Sequence, residues 1–331
     1  MRVGIVGAGS MGQAHAAAWA TTGAQLVGVL SKSRTSAAAL ASRIGTRSFE
    51  NFEALLSQVD IVDLCVPTDL HCEMTLRAAE AGKHVICEKP VALTLEDGKA
   101  MIDACEQAGV RLFIAMVVRF FPQYLAAQQI VAAGQLGELG VIRLKRIAYQ
   151  PSSGDDWFVD EVRSGGMVLD LMVHDFDYAC WLAGEVERVF AKSVRSGRPG
   201  APGDYALATL RFKSGAMALV EGGWAYPPGV FRTALDIAGT SGLIEWASDD
   251  TDSIRLDLLP SGPQEVERVG LPLTVFAEDP YAVQIRHAYR AILTDEPFAV
   301  TAEEALEALR VGLAVRESMK TGRSVTLEEV V

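Results

Sequence analysis

Two groups of residues have the types and spacing needed for acid-base chemistry at a carbon that bears a hydroxyl. Lys89 lies in Glu88-Lys89-Pro90, directly after an apolar run, and the proline restricts the turn that holds it. Asp170 and His174 are four residues apart, so a helix would place them on one face about a turn apart. A histidine can act as general base, a carboxylate can orient it, and a cation stabilises a developing alkoxide. These residues suit proton removal from an alcohol whose carbon gives up a hydride.

A glycine-rich turn near the start of the sequence is typical of dinucleotide binding. It follows an apolar run and opens an alanine-rich helical stretch. Gly7 permits a tight turn, Gly9 lets the backbone approach a pyrophosphate, and Gly12 allows a helix to pack closely on a strand. Ser10 and Met11 begin the helix, whose N-terminus attracts phosphate charge. The motif predicts an NAD(P) site, and the alternative is a glycine-rich turn without a ligand.

The residues after the second apolar run bear on the choice between NAD and NADP. An NAD site usually has an acidic residue about 20 residues after the glycines, where it binds the ribose hydroxyls. This chain has Ser31, Lys32 and Arg34 there, which can donate to a 2′-phosphate and do not repel it. The sequence therefore weakly favours NADP(H). Alternatively, the two basic side chains are merely solvated.

A polar segment follows the apolar run at 61–66. Pro67, Thr68 and His71 should lie at the carboxyl edge of the sheet, where ligands bind. Thr68 and His71 can then hydrogen-bond the ribose or nicotinamide side of the cofactor. Equally, Thr68 or Asp69 can cap the next helix.

The first third of the chain alternates strand and helix patterns. Apolar strands separated by helices indicate an α/β fold, with a doubly wound parallel sheet in an N-terminal Rossmann domain over residues 1–120. We predict strands at 3–6, 26–30, 61–66, 84–87 and 111–118, and helices at 11–21, 36–43, 51–56, 71–81 and 94–108, the last capped by Thr94.

The pattern changes near residue 119. Residues 121–331 are expected to form a C-terminal α+β domain that binds substrate, mediates oligomerisation and is built on a large, mostly antiparallel open sheet. We predict strands at 141–150, 206–212, 217–224, 233–238 and 254–259, and helices at 122–133, 166–182, 280–293 and 302–319.

Bulk properties exclude some partners and suggest a location. The net charge of −12 comes without a basic cluster, so nucleic acid and anionic membranes are not expected partners. The first residues enter an apolar run at once, which leaves no room for a signal segment. No apolar stretch approaches the roughly 20 residues that span a bilayer. Five scattered cysteines are typical of reduced thiols, so we expect a cytoplasmic protein.

Taken in order, the motifs resemble those of the glucose-fructose oxidoreductase and inositol dehydrogenase family (Gfo/Idh/MocA). The resemblance extends over essentially the whole chain, through the glycine-rich turn, residues 81–90 and residues 164–177. The last stretch is most similar to inositol dehydrogenases. Agreement at several separated motifs in the same order is improbable by chance.

The resemblance implies a role for each chemical residue. It places Lys89 beside the nicotinamide and the substrate hydroxyl, often before a cis proline peptide, and counts Glu88 with the cofactor site. It makes His174 the acid/base and Asp170 a catalytic or substrate-orienting partner. Arg119 matches a family arginine that reaches cofactor or substrate, although an interdomain ion pair is equally compatible.

Several positions stay open at this point. Trp157 and Phe158 can stack on a sugar-like face or pack internally. One of Asp175 and Asp177 is expected to face the cleft between the two predicted domains and the other to cap or solvate the helix. A metal site built from Asp170, His174 and Asp175 is disfavoured, because only the histidine is a strong nitrogen ligand. We therefore predict no metal.

Two departures from the family pattern affect the substrate pocket. Gly165-Gly166-Met167 stands where members commonly have three glycines, and Met172 replaces a frequent glycine. The shape of the pocket is therefore left open.

The sequence predicts an NAD(P)-dependent enzyme that interconverts a secondary alcohol and a ketone on a polyol, cyclitol or sugar. One alternative is a glycoside-cleaving enzyme that oxidises its substrate transiently with bound NAD. Another is a non-enzymatic NAD(P)-binding protein. Similar enzymes pair subunits through the open sheet, so a homodimer or homotetramer is expected.

Overall fold

A computed structural model describes residues 1–195, 204–249 and 278–330. The chain divides into two compact units, Met1–Phe120 with Phe276–Leu306 and Phe121–Val275 with Glu307–Val331. The predicted strand at 254–259 lies outside the described residues. In the part of the chain that is described, no helix is both long and apolar enough to cross a membrane.

The regular elements follow the predicted order along the chain. The strands are β1 (Arg2–Val6), β2 (Gln25–Leu30), β3 (Arg47–Ser48), β4 (Ile61–Leu64), β5 (His84–Glu88), β6 (Leu112–Ala115), β7 (Leu139–Ile147), β8 (Val186–Arg195), β9 (Asp204–Phe212), β10 (Met217–Gly223), β11 (Arg232–Gly239), β12 (Gly242–Ala247) and β13 (Val325–Thr326). The α-helices are α1 (Ser10–Trp19), α2 (Arg34–Arg43), α3 (Phe52–Leu56), α4 (His71–Glu80), α5 (Leu95–Gln107), α6 (Pro122–Ala132), α7 (Glu161–Ser164), α8 (Val173–Ala183), α9 (Pro280–Thr294) and α10 (Ala302–Thr321).

The first unit is built on a parallel sheet of six strands in the order β3-β2-β1-β4-β5-β6. This confirms the predicted Rossmann sheet. The chain runs outward from β1 in both directions, so the strand order reverses between β1 and β4, where ligands bind in folds of this kind. Val6 pairs with Leu64, and Leu64 pairs with Cys87. The carboxyl ends of β1, β4 and β5 therefore meet at one edge.

Side-chain caps begin several helices of the first unit. Ser33 accepts a hydrogen bond from the backbone N–H of Ser36 at the start of α2, and Asn51 caps α3 in the same way. Thr94 accepts from the backbone N–H of Asp97 at 3.1 Å, which confirms it as the N-cap of α5. Each cap satisfies a backbone donor that the helix leaves unpaired.

One boundary prediction in this unit is wrong. The predicted strand at 111–118 ends at Ala115, and Val117–Phe120 forms a short 3-10 helix. The apolar run continues through this turn because both its strand part and its 3-10 part are buried. The hydrophobic pattern of the sequence therefore could not show where the strand ends and the 3-10 helix begins.

The second unit contains a seven-stranded sheet in the order β12-β11-β7-β10-β9-β8-β13. Within this sheet, only β7 and β10 pair in parallel among the described strands. This confirms the predicted large, mostly antiparallel sheet. Along β10, Ala218 and Val220 are buried whereas Met217 and Leu219 are exposed. The alternation gives this strand one buried face and one face that is exposed among the described residues.

A buried ion pair fixes α8 to the sheet of this second unit. Arg146 of β7 donates to both carboxylate oxygens of Asp175, from Nε at 2.7 Å and from Nη2 at 3.0 Å. The side chains of Arg146 and Asp175 are both buried. Asp177 is buried as well, so the expectation that one of the two aspartates would be solvated is wrong. Removing one partner of such a pair typically costs about 3–5 kcal/mol, because a buried charge is left uncompensated.

Candidate active site

The glycine-rich turn joins β1 to α1, and two of its glycines are required by close backbone contacts. Gly7 has φ of +108°, and a Cβ there would lie 2.0 Å from the Cys65 carbonyl oxygen. A Cβ on Gly12 would lie 1.9 Å from the Gly7 carbonyl oxygen. No side chain can fit at either position, so the turn and the helix are held tightly together.

The middle glycine of the turn has a different environment. No described atom lies within 4 Å of the position that a Cβ on Gly9 would occupy. Its backbone, with φ of −74°, is a conformation that any residue adopts. Gly9 is also the N-cap of α1, which begins with Ser10 and Met11. It has no side chain that could accept a hydrogen bond from the first backbone N–H groups of the helix. An open backbone surface at an uncapped helix N-terminus fits a pyrophosphate.

Thr68 has an unsatisfied polar atom at the same sheet edge. The side chain is 3% exposed, and its Oγ1 has no hydrogen-bond partner in the described ranges. It begins a 3-10 helix, Thr68–Leu70, without capping it, and Pro67 precedes it as the N-cap residue. A buried hydroxyl without a partner costs about 1–3 kcal/mol, which a ligand atom can offset. Thr68 therefore fits the ribose or nicotinamide side of a dinucleotide.

His71 bonds to the protein backbone instead. The ring is fully buried, with Nδ1 2.9 Å from the Pro90 carbonyl oxygen and Nε2 3.1 Å from that of Val66. Burial lowers the pKa of His71, against the effect of the two carbonyls. The ring joins the segment after β4 to the turn after β5. A direct contact between its ring and a cofactor stays a prediction.

The predicted NADP-binding residues lie just beyond β2. Ser31 is half-buried, and Lys32 and Arg34 are exposed. Arg34 is the first residue of α2, and the described first turn of that helix holds no acidic residue. Local charge at the end of β2 is therefore positive.

Glu88 ends β5 and Lys89 follows it, at the edge shared with the glycine-rich turn. Glu88 is 6% exposed, whereas Lys89 is half-buried. The Lys89-Pro90 peptide is cis, as the family resemblance implied. The backbone N–H of Lys89 donates to Glu88 Oε2 at 3.1 Å. The catalytic candidate thus has its main chain held by the preceding carboxylate.

A buried side-chain network behind this turn was missed by sequence reasoning. His15 Nδ1 lies 3.0 Å from both carboxylate oxygens of Asp63, and Trp19 Nε1 donates to Asp63 Oδ2 at 2.6 Å. His15 Nε2 lies 3.0 Å from Glu88 Oε1, although the carboxylate is off the axis of the ring N–H. A signal was present in the sequence, because His15 follows Gly12 by one helical turn and Asp63 interrupts an apolar strand.

The second unit carries Asp170 and His174. The predicted helix at 166–182 is not one α-helix. Gly165, with φ of +75°, is the C-cap of the preceding short helix α7, and Gly166, with φ of +72°, follows it. A Cβ on Gly165 would lie 2.6 Å from the Leu169 side chain. A π-helical segment, Val168–Met172, then leads into α8. Such wide turns are frequent at functional sites.

The two candidate catalytic residues lie on either side of the junction between these helical segments. Asp170 is in the π-helical segment and is 8% exposed, whereas His174 is in the first turn of α8 and is partly exposed. A spacing of four residues keeps them about a turn apart. Asp175, the third member of the disfavoured metal set, is already bonded to Arg146.

The two departures from the family pattern now have local explanations. Met167 has φ of −55°, so this position does not need a glycine. Met172 is fully buried and lies against Gly222 of β10, where a Cβ would come within 2.2 Å of the methionine Cγ. The missing glycine on the helix is thus matched by a glycine on the sheet.

Arg119 and the pair of aromatic residues occupy different surroundings. Arg119 is buried in the first unit, where Nη1 donates to the Ala299 carbonyl at 3.2 Å and lies 3.2 Å from Glu304 Oε1. Trp157 and Phe158 are half-buried and stack on each other, with ring centroids 4.0 Å apart. A ligand contact by Arg119 or Trp157 stays a prediction.

Each of the two units contains a region that matches a known protein family. Residues 1–116 match the model described as "Oxidoreductase family, NAD-binding Rossmann fold", and residues 124–245 match "GFO/IDH/MocA C-terminal domain". The chain belongs to the Gfo/Idh/MocA family. This confirms the resemblance that the motifs indicated.

Individual relatives align over most or all of the chain. Myo-inositol 2-dehydrogenase of Thermotoga maritima is 30% identical over 344 residues and covers 100% of both chains. D-xylose 1-dehydrogenase (NADP(+)) 2 of Haloferax volcanii is 29% identical and covers 91% of each. A crystal structure of a probable dehydrogenase from Thermotoga maritima superposes with a TM-score of 0.84 at 29% identity, over 100% of both chains. This oxidoreductase therefore resembles family members along the length of both units.

The different surroundings of the glycines give a test of the cofactor site. Gly9→Ala should leave the free energy of unfolding nearly unchanged, because the added methyl meets no described atom. It should weaken NAD(H) and NADP(H) binding by about tenfold or more, since a lost or distorted phosphate contact of about 1.4 kcal/mol has that effect. Cofactor fluorescence titration and urea unfolding measure the two quantities.

Gly12→Ala is the matched control. Its methyl would collide with the Gly7 carbonyl, so this variant should lose stability, by about 1–3 kcal/mol or more. Wild-type cofactor affinity in Gly9→Ala would contradict the assignment of this turn.

Proposed function

We propose that this oxidoreductase interconverts a secondary hydroxyl and a ketone on a polyol, cyclitol or sugar, with NAD(P) as cofactor. The main support is the shared sheet edge in the first unit. There the open position at Gly9, the unsatisfied hydroxyl of Thr68 and the half-buried Lys89 follow strands whose ends are in register. The proposed ligand-binding groups and the candidate catalytic cation thus belong to one edge of the sheet.

Lys89, Asp170 and His174 form the proposed catalytic group. His174 takes the proton from the substrate hydroxyl in oxidation and returns it in reduction, a step that contributes roughly 10²- to 10⁴-fold. Asp170 orients the imidazole or binds a neighbouring hydroxyl. The Lys89 ammonium stabilises negative charge on the substrate oxygen as the proton leaves. The nicotinamide, when bound, supplies the hydride acceptor or donor.

The substrate class follows from two considerations. The relatives bear the names of enzymes for myo-inositol and D-xylose, both of which carry several hydroxyls. Trp157 lies half-buried in the loop before α7, where an aromatic face can stack on the C–H face of a ring-shaped polyol. Which polyol or sugar this enzyme uses depends on the side chains around it.

For the cofactor, we propose a weak preference for NADP(H). Ser31, Lys32 and Arg34 offer donors and positive charge beyond β2, and no acidic residue stands among 30–36. A 2′-phosphate would therefore gain hydrogen bonds there without repulsion. The named NADP(+)-dependent relative shows that the family includes enzymes of this preference.

We also propose that the chain forms a homodimer or homotetramer through the open sheet. Large apolar side chains are exposed on β8, β9 and β10, including Leu207 at 56%, Leu219 at 46% and Phe190 at 42%. Leu207 lies opposite Glu221, two residues from Leu219 on the same face of β10. An exposed apolar patch of this kind usually marks an interface.

Catalysis by Lys89 and His174 can be tested with a panel of polyols and sugars. Lys89→Met and His174→Ala should each lower kcat by about 10²- to 10⁴-fold, because each removes a group that acts on the reacting hydroxyl. Cofactor affinity should be retained. Initial rates at 340 nm and cofactor titration measure both.

Lys83→Met is the control, since Lys83 is a half-buried lysine at the opposite end of β5. Wild-type turnover in either test variant would refute its role. Product formation without net cofactor reduction would favour glycoside cleavage, and silence of the wild type on every substrate would favour a binding protein.

The cofactor preference predicts a higher kcat/KM with NADP(H) than with NAD(H). Ser31→Asp should reverse this by about tenfold or more, because its carboxylate would repel a 2′-phosphate and accept ribose hydroxyls. Ser42→Asp adds the same charge at the far end of α2 and should change nothing. A clear NAD advantage in the wild type would refute the preference.

The oligomer predicts a mass in light scattering of two or four times 35.5 kDa. Leu207→Glu should reduce it, since a charge would be buried in the interface without a partner. Leu293→Glu, at a 53% exposed leucine of α9 in the other unit, is the matched control. A wild-type mass of 35.5 kDa would contradict the proposal.

A further inference from the structure

His15 lies between two carboxylates in the interior of the first unit. Its Nδ1 contacts Asp63 of β4 at 3.0 Å, and its Nε2 lies 3.0 Å from Glu88 of β5. The ring is 0% exposed, Asp63 is 0% exposed and Glu88 is 6% exposed. A carboxylate can only accept hydrogen bonds, so a ring placed between two of them is best matched when both nitrogens carry protons. The geometry favours a buried imidazolium.

The contacts continue from this ring to the catalytic candidate. Glu88 uses one oxygen toward His15 and the other to accept the backbone N–H of Lys89. A buried carboxylate that lost its cationic neighbour would be left with uncompensated charge and would be driven to move or to take up a proton. The charge on His15 therefore affects the position of the Glu88 carboxylate, and with it the position of the Lys89 main chain.

We infer that His15 is a positioning residue whose positive charge, balanced by Asp63, fixes Glu88 and through it the main chain of Lys89. This role depends on the proposed function, because it matters for turnover only if Lys89 is catalytic. His15 itself contacts neither reacting atoms nor, in this role, substrate.

The groups that face His15 all belong to the first unit. Asp63 comes from β4, Cys65 directly follows that strand, Glu88 comes from β5 and Tyr281 from α9. The Tyr281 ring centroid is 6.4 Å from that of the histidine. Trp19, from the same helix α1, donates to Asp63. Cys65 stays a neutral thiol, because burial raises its pKa.

The balance of these effects keeps His15 protonated. Burial alone would lower the pKa of His15, but the charge of Asp63 and the hydrogen bonds to Asp63 and Cys65 raise it well above its usual value. The contribution of protonated His15 to the free energy of unfolding is therefore fully present below about pH 6.5, the pKa of an unfolded histidine. It is lost as the pH rises through the folded-state pKa.

A bound cation is a different use of the same cluster, since His15, Asp63 and Cys65 bring their ligand-type atoms within 4.8 Å of one another. The hydrogen bonds argue against it. Trp19 Nε1 can only donate, and the histidine nitrogen that faces Asp63 has no lone pair to offer once it is protonated. The Asp63 carboxylate is therefore already occupied by hydrogen bonds from His15 and Trp19.

The inference can be tested without turnover by NMR of the chain with 15N-labelled histidine and lysine. The chain has five histidines. Burial lowers the pKa of His71, His84 and His287, so His15 should keep both ring protons to a higher pH than these three. The Lys89 amide signal should titrate with the same midpoint as His15, and this coupling should vanish in Glu88→Gln. The inference is overturned if His15 loses a ring proton at the same pH as His71, His84 and His287. It is also overturned if the Lys89 amide signal does not change as His15 titrates.

Kinetics supply the second arm. His15→Gln and Glu88→Gln should each lower kcat about 10- to 100-fold, the usual effect of a misplaced catalytic group, and His15→Gln should change KM for the cofactor little. The double variant should lose no more than the worse single variant, because residues that act in series are not additive. In the wild type, kcat should fall at alkaline pH as His15 loses its proton. This fall should be absent from His15→Gln.

His84→Gln is the matched control, because His84 begins the same strand that Glu88 ends, and its Nδ1 accepts the Arg111 N–H instead. It should leave kcat unchanged. Additive losses in the double variant overturn the inference. A wild type without dehydrogenase activity would refute the proposed function alone, since the NMR titration still decides the state of His15.

Discussion

The close approach of α1 to the turn that follows β1 is the constraint on which the first unit depends. The Gly7 carbonyl lies where a Cβ of Gly12 would be, so the helix can lie this near to the sheet only without a side chain. The approach has a second effect one turn later. Because the helix lies so close, His15 and Trp19 reach side chains of β4 and β5. The same glycine thus allows both the tight turn between β1 and α1 and the buried network of His15, Asp63 and Glu88.

In the second unit the corresponding constraint is the ion pair between Arg146 and Asp175. It fixes α8 to the buried side of the sheet, and the π-helical segment before α8 widens the helix where Asp170 stands. The tandem left-handed glycines end α7 sharply and set the direction in which that segment starts. Catalytic candidates therefore lie on backbone whose geometry is fixed by neighbours that take no part in chemistry.

Patterns that are local in sequence predicted most of the fold. The glycine-rich turn, the alternation of apolar strands with helices, and the cap at Thr94 each depend on residues a few positions apart. The cis peptide and the family came from the resemblance. The network of His15, Asp63 and Glu88 did not emerge, because it depends on the register of strands far apart in sequence. The ion pair of Asp175 was not predicted for the same reason, since its partner is 29 residues away.

The contact between Met172 and Gly222 bears on how this site can diverge. Any side chain on the sheet glycine would overlap the methionine, and a smaller residue at 172 would leave a cavity against the bare strand. Neither position can change alone without a cost, whereas an exchange of bulk between them keeps the volume constant. The two positions are therefore epistatic. Lineages of this fold that moved the bulk from helix to sheet would have crossed a destabilised intermediate or changed both residues together.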